Sequence, residues 1–435
     1  MSELRDGWSE APLTEVITLH DGRRIPLNQE QRQSRQGKYA YYGANGVVDH
    51  IDDYIFDGQY VLLAEDGGYF DQPERGVAYA VDGRFWVNNH AHIIEPSGGI
   101  SVGFLVRWLN AIDWLPFVSG TTRLKLTQGG MQRVRIPLPP LAEQRRIVAK
   151  LDALDASAKR ARADLDRIPT LVARAKQAIL EKAFSGNLTT GFRAASKSAL
   201  TDRRCLSALG LDQSERGEWP QDELPRGWEW KVFSAVFVDV TDSRRKLPTK
   251  EYREAGKLPI VDQGEPYIAG WSDRDDMVQT AMPPFVVFGD HTRCVKLIEI
   301  PFIQGADGVK VLKVKAEFDI QYLYFALLAV RLPDKGYSRH MKFLRATVFP
   351  WCERAEQREI VRRIEAAFAK IDRIAAEAAS ARALLDRLDQ AILAKAFRGE
   401  LVPQDPSDEP AEKLLEKIKA ARAAPPARKT RKKLS

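Results

Sequence analysis

Cysteine is scarce in this 435-residue chain, which holds Cys205, Cys294 and Cys352 and no others. The three are far apart and form neither a CxxC pair nor any metal-ligand spacing. That argues against a disulfide scaffold and a structural zinc, and for a reducing compartment. Long apolar runs are missing too: none approaches the ~18 residues that span a bilayer. The start, MSELRDGWSE, has no apolar core of the signal-peptide kind. The expectation is a cytoplasmic protein with no membrane partner.

The common catalytic signatures are equally thin. No G-x-G-x-x-G follows a strand pattern, and there is no G-x-x-x-x-G-K-[ST], so no nucleotide cradle is indicated. No Asn/Asp-Pro-Pro-Tyr/Phe run is present to grip a flipped base. Ala281-Met282-Pro283-Pro284-Phe285 lacks the Asn or Asp and reads as a strand entry. Glu229-Trp230-Lys231 is an acidic-x-Lys triplet at a strand start without a well-spaced upstream Asp, a weak nuclease signal. His90 and His92 alternate in NNHAHII and so share a face, but no third ligand sits at a helpful spacing. The reading is a non-enzyme with no catalytic residues, no metal and no cofactor in this chain.

What is present begins with charge. Lys and Arg outnumber Asp and Glu by 66 to 59, a net +7 that mildly favours a polyanionic partner. The stronger signal is an internal repeat. AEQRRIVAKLDAL…RAKQAILEKAFSGNL, from Ala142, aligns without a gap on AEQREIVRRIEAA…LDQAILAKAFRGEL, from Ala355, over roughly 48 residues with about 21 identities.

Both copies carry one heptad pattern. In the first, Ile147, Leu151, Leu154, Ala158, Ala161, Leu165, Ile168, Val172, Ala175 and Ile179 fall at alternating steps of four and three. In the second, Ile360, Ile364, Ala367, Ile371, Ile374, Ala378, Ala381, Leu385, Leu388 and Ile392 do the same. That period lays one narrow seam along a helix and pairs it with another. About 38 helical residues make an arm of roughly 57 Å. The first helix starts after Pro139-Pro140 and the second after Cys352-Glu353. Gly186 and Gly399 suit the ends. Pro169 predicts a kink or short break in the first.

Residues 1–140 and about 220–351 read differently. They are rich in Gly, Pro, aromatics and β-branched residues. Gln59–Ala64, Phe85–Val87, Pro284–Phe288 and Val309–Val314 read as strands, and Val102–Leu109 and Ile320–Ala329 as short helices. Turn signals such as Asn45-Gly46, Gly67-Gly68 and Asp307-Gly308 separate them. The fold class is α+β: domain (1–140), arm (141–189), polar linker (190–219), domain (220–351), arm (352–402), tail (403–435). The tail holds a short amphipathic helix (Ala411–Ala421) and a basic end, ARKTRKKLS, read as solvated.

Assembled, this pattern resembles the specificity subunits of type I restriction–modification systems, from Asp6 to about Ala423. IPLPPLAEQRRIV with QAILEKAFSGNL, and AEQREIV with QAILAKAFRGELVPQDPSDEPAEKLLEKI, look like the family's two conserved spacers. YGANGVVDHIDDYIFDG, FWVNNHAHII, VSGTTRLKLT, FGDHTR and FIQGADGVKVLK resemble segments of its variable target-recognition domains. FPWCERAEQ departs from the usual Pro-Leu-Pro-Pro-like run before an arm.

The resemblance implies two recognition domains, each reading half of a split, asymmetric double-stranded DNA target. It implies arms packed as an antiparallel coiled coil in a pseudo-two-fold repeat. Two modification (methyltransferase) subunits would dock on the arms, binding S-adenosylmethionine, and restriction subunits would supply ATP- and magnesium-dependent translocation and cleavage. A type II system of the same architecture, with methyltransferase and nuclease fused in one partner, is the alternative; a scaffold with no DNA role is a different class. Groove readout needs Arg, Lys, Asn, Gln, Ser or Thr on loops. The first-domain candidates are Lys38, Tyr42, Asn45, Asn89, His90, Thr121, Thr122, Arg123 and Lys125. In the second they are Arg274, His291, Thr292, Arg293, Ser338, Arg339, His340 and Lys342.

Overall fold

The computed structural model describes residues 4–72, 75–194, 205, 206, 209, 216–305, 308–336 and 338–424. The basic end of the tail and Asp307 of one expected turn lie outside them. The chain divides into two compact units, Met1–Leu165 with Ser380–Ser435, and Asp166–Ala379. Both arms are therefore shared between units, which differs from the boundaries expected from sequence.

The first unit is clasped by Ser9–Pro12, antiparallel to Arg135–Leu138 immediately before the arm. Its antiparallel sheet runs in the order Ile17–Leu19, Ala91–Pro96, Tyr60–Ala64, Ala78–Val81. Tyr60–Ala64 is buried at every position. Its unbroken apolar run, without alternation, marks a strand covered on both faces. A second, mixed sheet orders Gly46–Ile51, Gln36–Gly43, Arg84–Val87 and Phe56–Asp57, with a parallel pair at its centre.

The second unit repeats the plan. Glu229–Val232 pairs with Val348–Trp351. Phe237–Asp239, Val309–Val314, Phe285–Gly289 and Val295–Ile298 form the antiparallel sheet, in which Phe285–Gly289 is wholly buried. Gly270–Ser272, Leu258–Val261 and Ile303–Gln304 form the mixed sheet, again with one parallel pair. The two short helices span Val102–Leu109 and Ile320–Ala329, capped by Ser101 and Asp319.

The repeated Ala-Glu-Gln explains how an arm is fixed to its domain. Gln144 Oε1 accepts from the Ser101 amide at 3.1 Å, and its Nε2 donates to the Pro139 carbonyl at 3.0 Å. Gln357 makes the same two bonds, at 2.7 Å each, with the Asp319 amide and the Cys352 carbonyl. FPWCE thus enters its arm in the same way as the proline run.

The first arm is Leu141–Leu165 followed by Ile168–Phe184, with Pro169 in the opening turn of the second segment. The proline produces a short break. The second arm, Arg354–Phe397, is one unbroken helix. Gly186 and Gly399 end the arms with φ of 73° and 72°, where a glycine carries no Cβ penalty.

Within each unit the helices run antiparallel. In the first, Ile147 and Leu151 share a core with Ala396 and Phe397, while Arg162 reaches back to Asp386 (3.2 Å) and Asp389 (2.5 Å). In the second, Arg363 donates to the Leu188 carbonyl (2.6 Å) and Lys176 meets Asp372 (2.6 Å).

The expected seam holds along the first arm: Ile147 and Leu151 are buried, and Leu154, Leu165, Ile168, Val172 and Ile179 half-buried. In the second, Ile360 and Ile364 are buried and Ile371, Leu385 and Ile392 half-buried, but Ile374 and Leu388 are exposed at 54% and 50%. An extra four-residue step from Ile371 to Ala375 hands those places to Ala375 and Asp389. A straight helix has 3.6 residues per turn, so a strict seven-residue pattern drifts off the seam unless a stutter corrects it.

The amphipathic helix expected in the tail is present as Ala411–Ala423 and packs into the first unit, with Leu414 and Ile418 buried in its core. One further expectation is corrected. In the supposed linker over 190–219, the described residues include buried Leu206 and Trp219, which belong to the second unit's core.

Candidate nucleic-acid interface

Each unit gathers three loops at the exit of its all-buried strand. In the first, the strand Tyr60–Ala64 runs into Glu65 and Asp66, whose amides donate to the His90 carbonyl at 2.8 and 3.4 Å. The Leu126 amide donates to the Glu65 carbonyl at 2.7 Å, and that of Gly67 to Leu124 at 3.2 Å. In the second, the strand Phe285–Gly289 runs into Asp290, whose amide donates to Gly308 at 2.6 Å and whose carbonyl accepts from the His340 amide at 2.7 Å. Backbone hydrogen bonds thus join loops 65–68, 88–90 and 119–126 in one domain, and residues 290–293, Gly308 and 338–342 in the other.

Beneath the first junction lies a buried charge network. His92 is 2% exposed. Its Nδ1 lies 2.5 Å from Asp21 Oδ2, and its Nε2 lies 3.0 Å from the Leu126 carbonyl. Arg24 stands 2.6 Å from Glu65 and 3.6 Å from Asp21, and donates to the Ala91 carbonyl at 2.9 Å. Burial opposes ionisation of Asp21, but the His92 hydrogen bond and charge, the Ile93 amide and Arg24 outweigh it, so its carboxyl sits below the usual value. Asp21, Glu65 and His92 have a metal-like grouping. No local pattern marks the two carboxylates, because they arrive from distant segments. Both imidazole nitrogens are engaged and Arg24 supplies the cation, so the group serves as a lock between loops.

Most first-domain candidates meet at the rim of this junction. Arg123 pairs with Asp66 and lies 3.4 Å from His90 Nδ1. Lys125 stands 3.4 Å from Glu65, and Asn45 Nδ2 donates to the Gly67 carbonyl at 3.1 Å. A side chain at Gly67 (φ +71°) would come within 3.3 Å of Arg123, so the glycine lets the guanidinium close on the loop. Asn89, Thr121 and Thr122 are exposed on the same loops. Lys38 sits apart on the strand Gln36–Gly43, over the Tyr39 ring. Tyr42 packs against Tyr79 and Phe85, with ring centroids 5.8 Å apart in each case; it is a half-buried core contact, since its strand turns that face inward.

In the second domain, Gln263 organises the rim. Its Oε1 accepts from the His291 amide at 3.2 Å and its carbonyl from Thr292 Oγ1 at 2.5 Å. Arg293 has φ of 63°, in the left-handed region that a side chain occupies at a cost, and its guanidinium meets Asp334 at 3.3 Å. Arg339 and Lys342 are exposed and Ser338 half-buried nearby. His340 is 1% exposed, with Nδ1 3.1 Å from the Asp290 carbonyl. It holds the loop from inside and does not reach a groove. Arg274 lies on another loop, paired with Asp276 at 2.8 Å. Sequence reasoning passed over Glu65, Asp66, Asp290 and Gln263. The available signal was an acidic residue closing each wholly apolar strand, LLAED and VVFGD.

The family model for the type I restriction modification DNA specificity domain matches residues 5–166. The specificity subunit of the type I restriction enzyme EcoDI from Escherichia coli is 28% identical, with 98% of each chain aligned. Over nearly its whole length the chain is thus similar to type I restriction enzyme specificity subunits. A putative specificity subunit from Haemophilus influenzae is 39% identical over 145 residues, which span 33% of this chain and 37% of that relative. A chain from a solved type I R-M system shares the fold, with a TM-score of 0.62 at 22% identity, covering 92% of this chain and all of that one. No described helix is long and apolar enough to cross a membrane.

Proposed function

We propose that this chain is the DNA-reading subunit of a type I restriction–modification complex, and that each three-loop junction reads one half of a bipartite, asymmetric duplex target. The observation that carries the reading is the repetition: two domains of the same plan place exposed basic and hydroxyl side chains on equivalent loops. Rigid sheets hold those loops, the arrangement that positions base-edge and phosphate contacts. The chain itself does no chemistry in this reading. Two modification subunits bind S-adenosylmethionine and dock on the arms, and restriction subunits bind ATP and magnesium. Exposed Leu171 and Ile374 in one unit, and Leu384 and Leu388 in the other, give the arms apolar positions for such docking. The test is a transplant. Exchanging loops 65–68, 88–90 and 119–126 for those of a relative with a different target should change one half of the motif methylated in cells and leave the other half intact. An unchanged motif refutes the reading.

A further inference from the structure

Each rim carries an arginine candidate that is not bare. Arg123 is held by Asp66 and Arg293 by Asp334. These pairs differ from the lock beneath. The Arg24 side chain is 15% exposed, between carboxylates at 15% and 8%, so water and DNA cannot reach it freely. The Arg123 and Asp66 side chains are 58% and 23% exposed, and those of Arg293 and Asp334 are 39% and 72% exposed, so in each pair at least one member is open to solvent. Ion pairs this open are screened and easily exchanged. A phosphate oxygen makes the same charge-assisted bond to a guanidinium as a carboxylate oxygen.

We infer that Asp66 and Asp334 are internal substitutes for DNA phosphates: each occupies the phosphate- or base-reading arginine of its domain and must be displaced before that arginine engages duplex. The two carboxylates are thereby specificity-determining residues, although neither need touch DNA. Every duplex, cognate or not, must displace them, and only the cognate site adds base contacts that outweigh the exchange. Random DNA is bound more weakly than the arginines alone would bind it. Both domains carry the arrangement, with the carboxylate on a different loop in each: Asp66 follows the buried strand, and Asp334 precedes the helix Met341–Ala346. Glu65 beside Lys125 strengthens the effect in the first domain.

This inference rests on the reading of the rims as DNA contacts, and the experiment separates the two. Binding of the full chain to a 30-base-pair duplex of random sequence is measured by fluorescence anisotropy across a salt series, for wild type, Asp66→Asn, Asp334→Asn and Arg123→Ala. Thermal midpoints confirm folding. Asp334→Asn alters a side chain outside the core, so one aspartate arm survives any loss at Asp66. The aspartate variants should bind random duplex about three- to tenfold more tightly, with the salt slope little changed, because the arginine meets the same phosphate once the carboxylate has left. Arg123→Ala should bind more weakly, with a shallower slope. Weaker or unchanged binding by both aspartate variants overturns the inference, because carboxylates that merely brace the loops would lower affinity when removed. Unchanged binding by Arg123→Ala overturns the reading of the rim itself.

Discussion

The indole Nε1 of Trp8 donates to the carboxylate of Glu143 at 3.1 Å, joining the first turn of the chain to the first turn of an arm 135 residues later. Trp228 does the same to Glu356 at 2.9 Å, where Thr189 and Arg193 also bind the carboxylate. Glu143 lacks such company: its other oxygen, Oε1, is buried without a hydrogen-bond partner. Burial therefore pushes its carboxyl up, more than Trp8 and Arg146 pull it down. A raised carboxyl pKa means that the fold binds the proton more tightly than the unfolded chain does. Stability then falls as pH rises from the ordinary glutamate value through the raised one, and stays lower above it. Thermal melts of wild type and Glu143→Gln across pH 4 to 8 should show the wild type losing ground over that window. Parallel curves would refute the prediction.

Gln144 and Gln357 are both wholly buried. Removing either amide strands one backbone N–H and one backbone C=O, each costing about 1–3 kcal/mol. Gln357→Ala should therefore lower stability by roughly 2–4 kcal/mol in urea titrations. Gln144→Ala should do the same, because the two sites are copies. A loss below about 0.5 kcal/mol at either would mean that water replaces the side chain.

His92→Leu removes one partner of a buried pair: Asp21 keeps the Ile93 amide and Arg24 but loses its 2.5 Å partner, and the Leu126 carbonyl loses the imidazole. The loss should be about 3 kcal/mol at neutral pH. Asp21 has a depressed pKa in the fold, so its contribution is present above the ordinary aspartate value and disappears as pH falls through the folded value. Wild type and variant should therefore converge on acidification, which circular dichroism follows directly.

The arms, both short helices and the central strands were legible because each carries one dominant period or an unbroken apolar run. Val102–Leu109, Ile320–Ala329 and Val309–Val314 fall where the pattern places them. Long-range polar ties were not legible. Nothing local marks Asp21 as the partner of His92, or Gln144 as the partner of Ser101. Docking of the carboxy-terminal helix was hidden for a similar reason. Its apolar stripe is visible, but its seat is not: at Gly98 a Cβ would lie 2.5 Å from Ile418. Candidate readout residues chosen by type alone mixed rim and core. A histidine in YSRHMK and one in NNHAH look alike, yet one is buried and the other half-exposed.

That seat yields its own prediction. Leu414 and Ile418 are 3% and 2% exposed, and Ala411 donates its amide to the Gly7 carbonyl at 2.9 Å. Leu414→Ala with Ile418→Ala should cost about 2–5 kcal/mol per site, as deletions in a packed core do. A solvated tail would lose nothing. Gly98→Ala should mimic the double variant, since its φ of +62° and its contact with Ile418 both oppose a side chain.

The displaced seam gives the sharpest test of docking on the arms. Leu385 and Leu388 are three residues apart on one helix, and both fit the heptad expected from sequence. In the structure Leu385 is half-buried and Leu388 is 50% exposed. Leu385→Lys should therefore disturb the helix pair, lowering stability by about 2 kcal/mol or more. Leu388→Lys should change stability by less than about 0.5 kcal/mol, as surface substitutions do. Ile374→Lys should behave like Leu388→Lys. If modification subunits use these exposed positions, both exposed-site variants should stay folded yet weaken assembly by tenfold or more, read by co-purification and sedimentation with the cognate modification subunit. Assembly at wild-type strength in both would show that the partner takes another face of the arms. Equal destabilisation at Leu385 and Leu388 would instead restore the strict heptad and remove the four-residue step at Ile371.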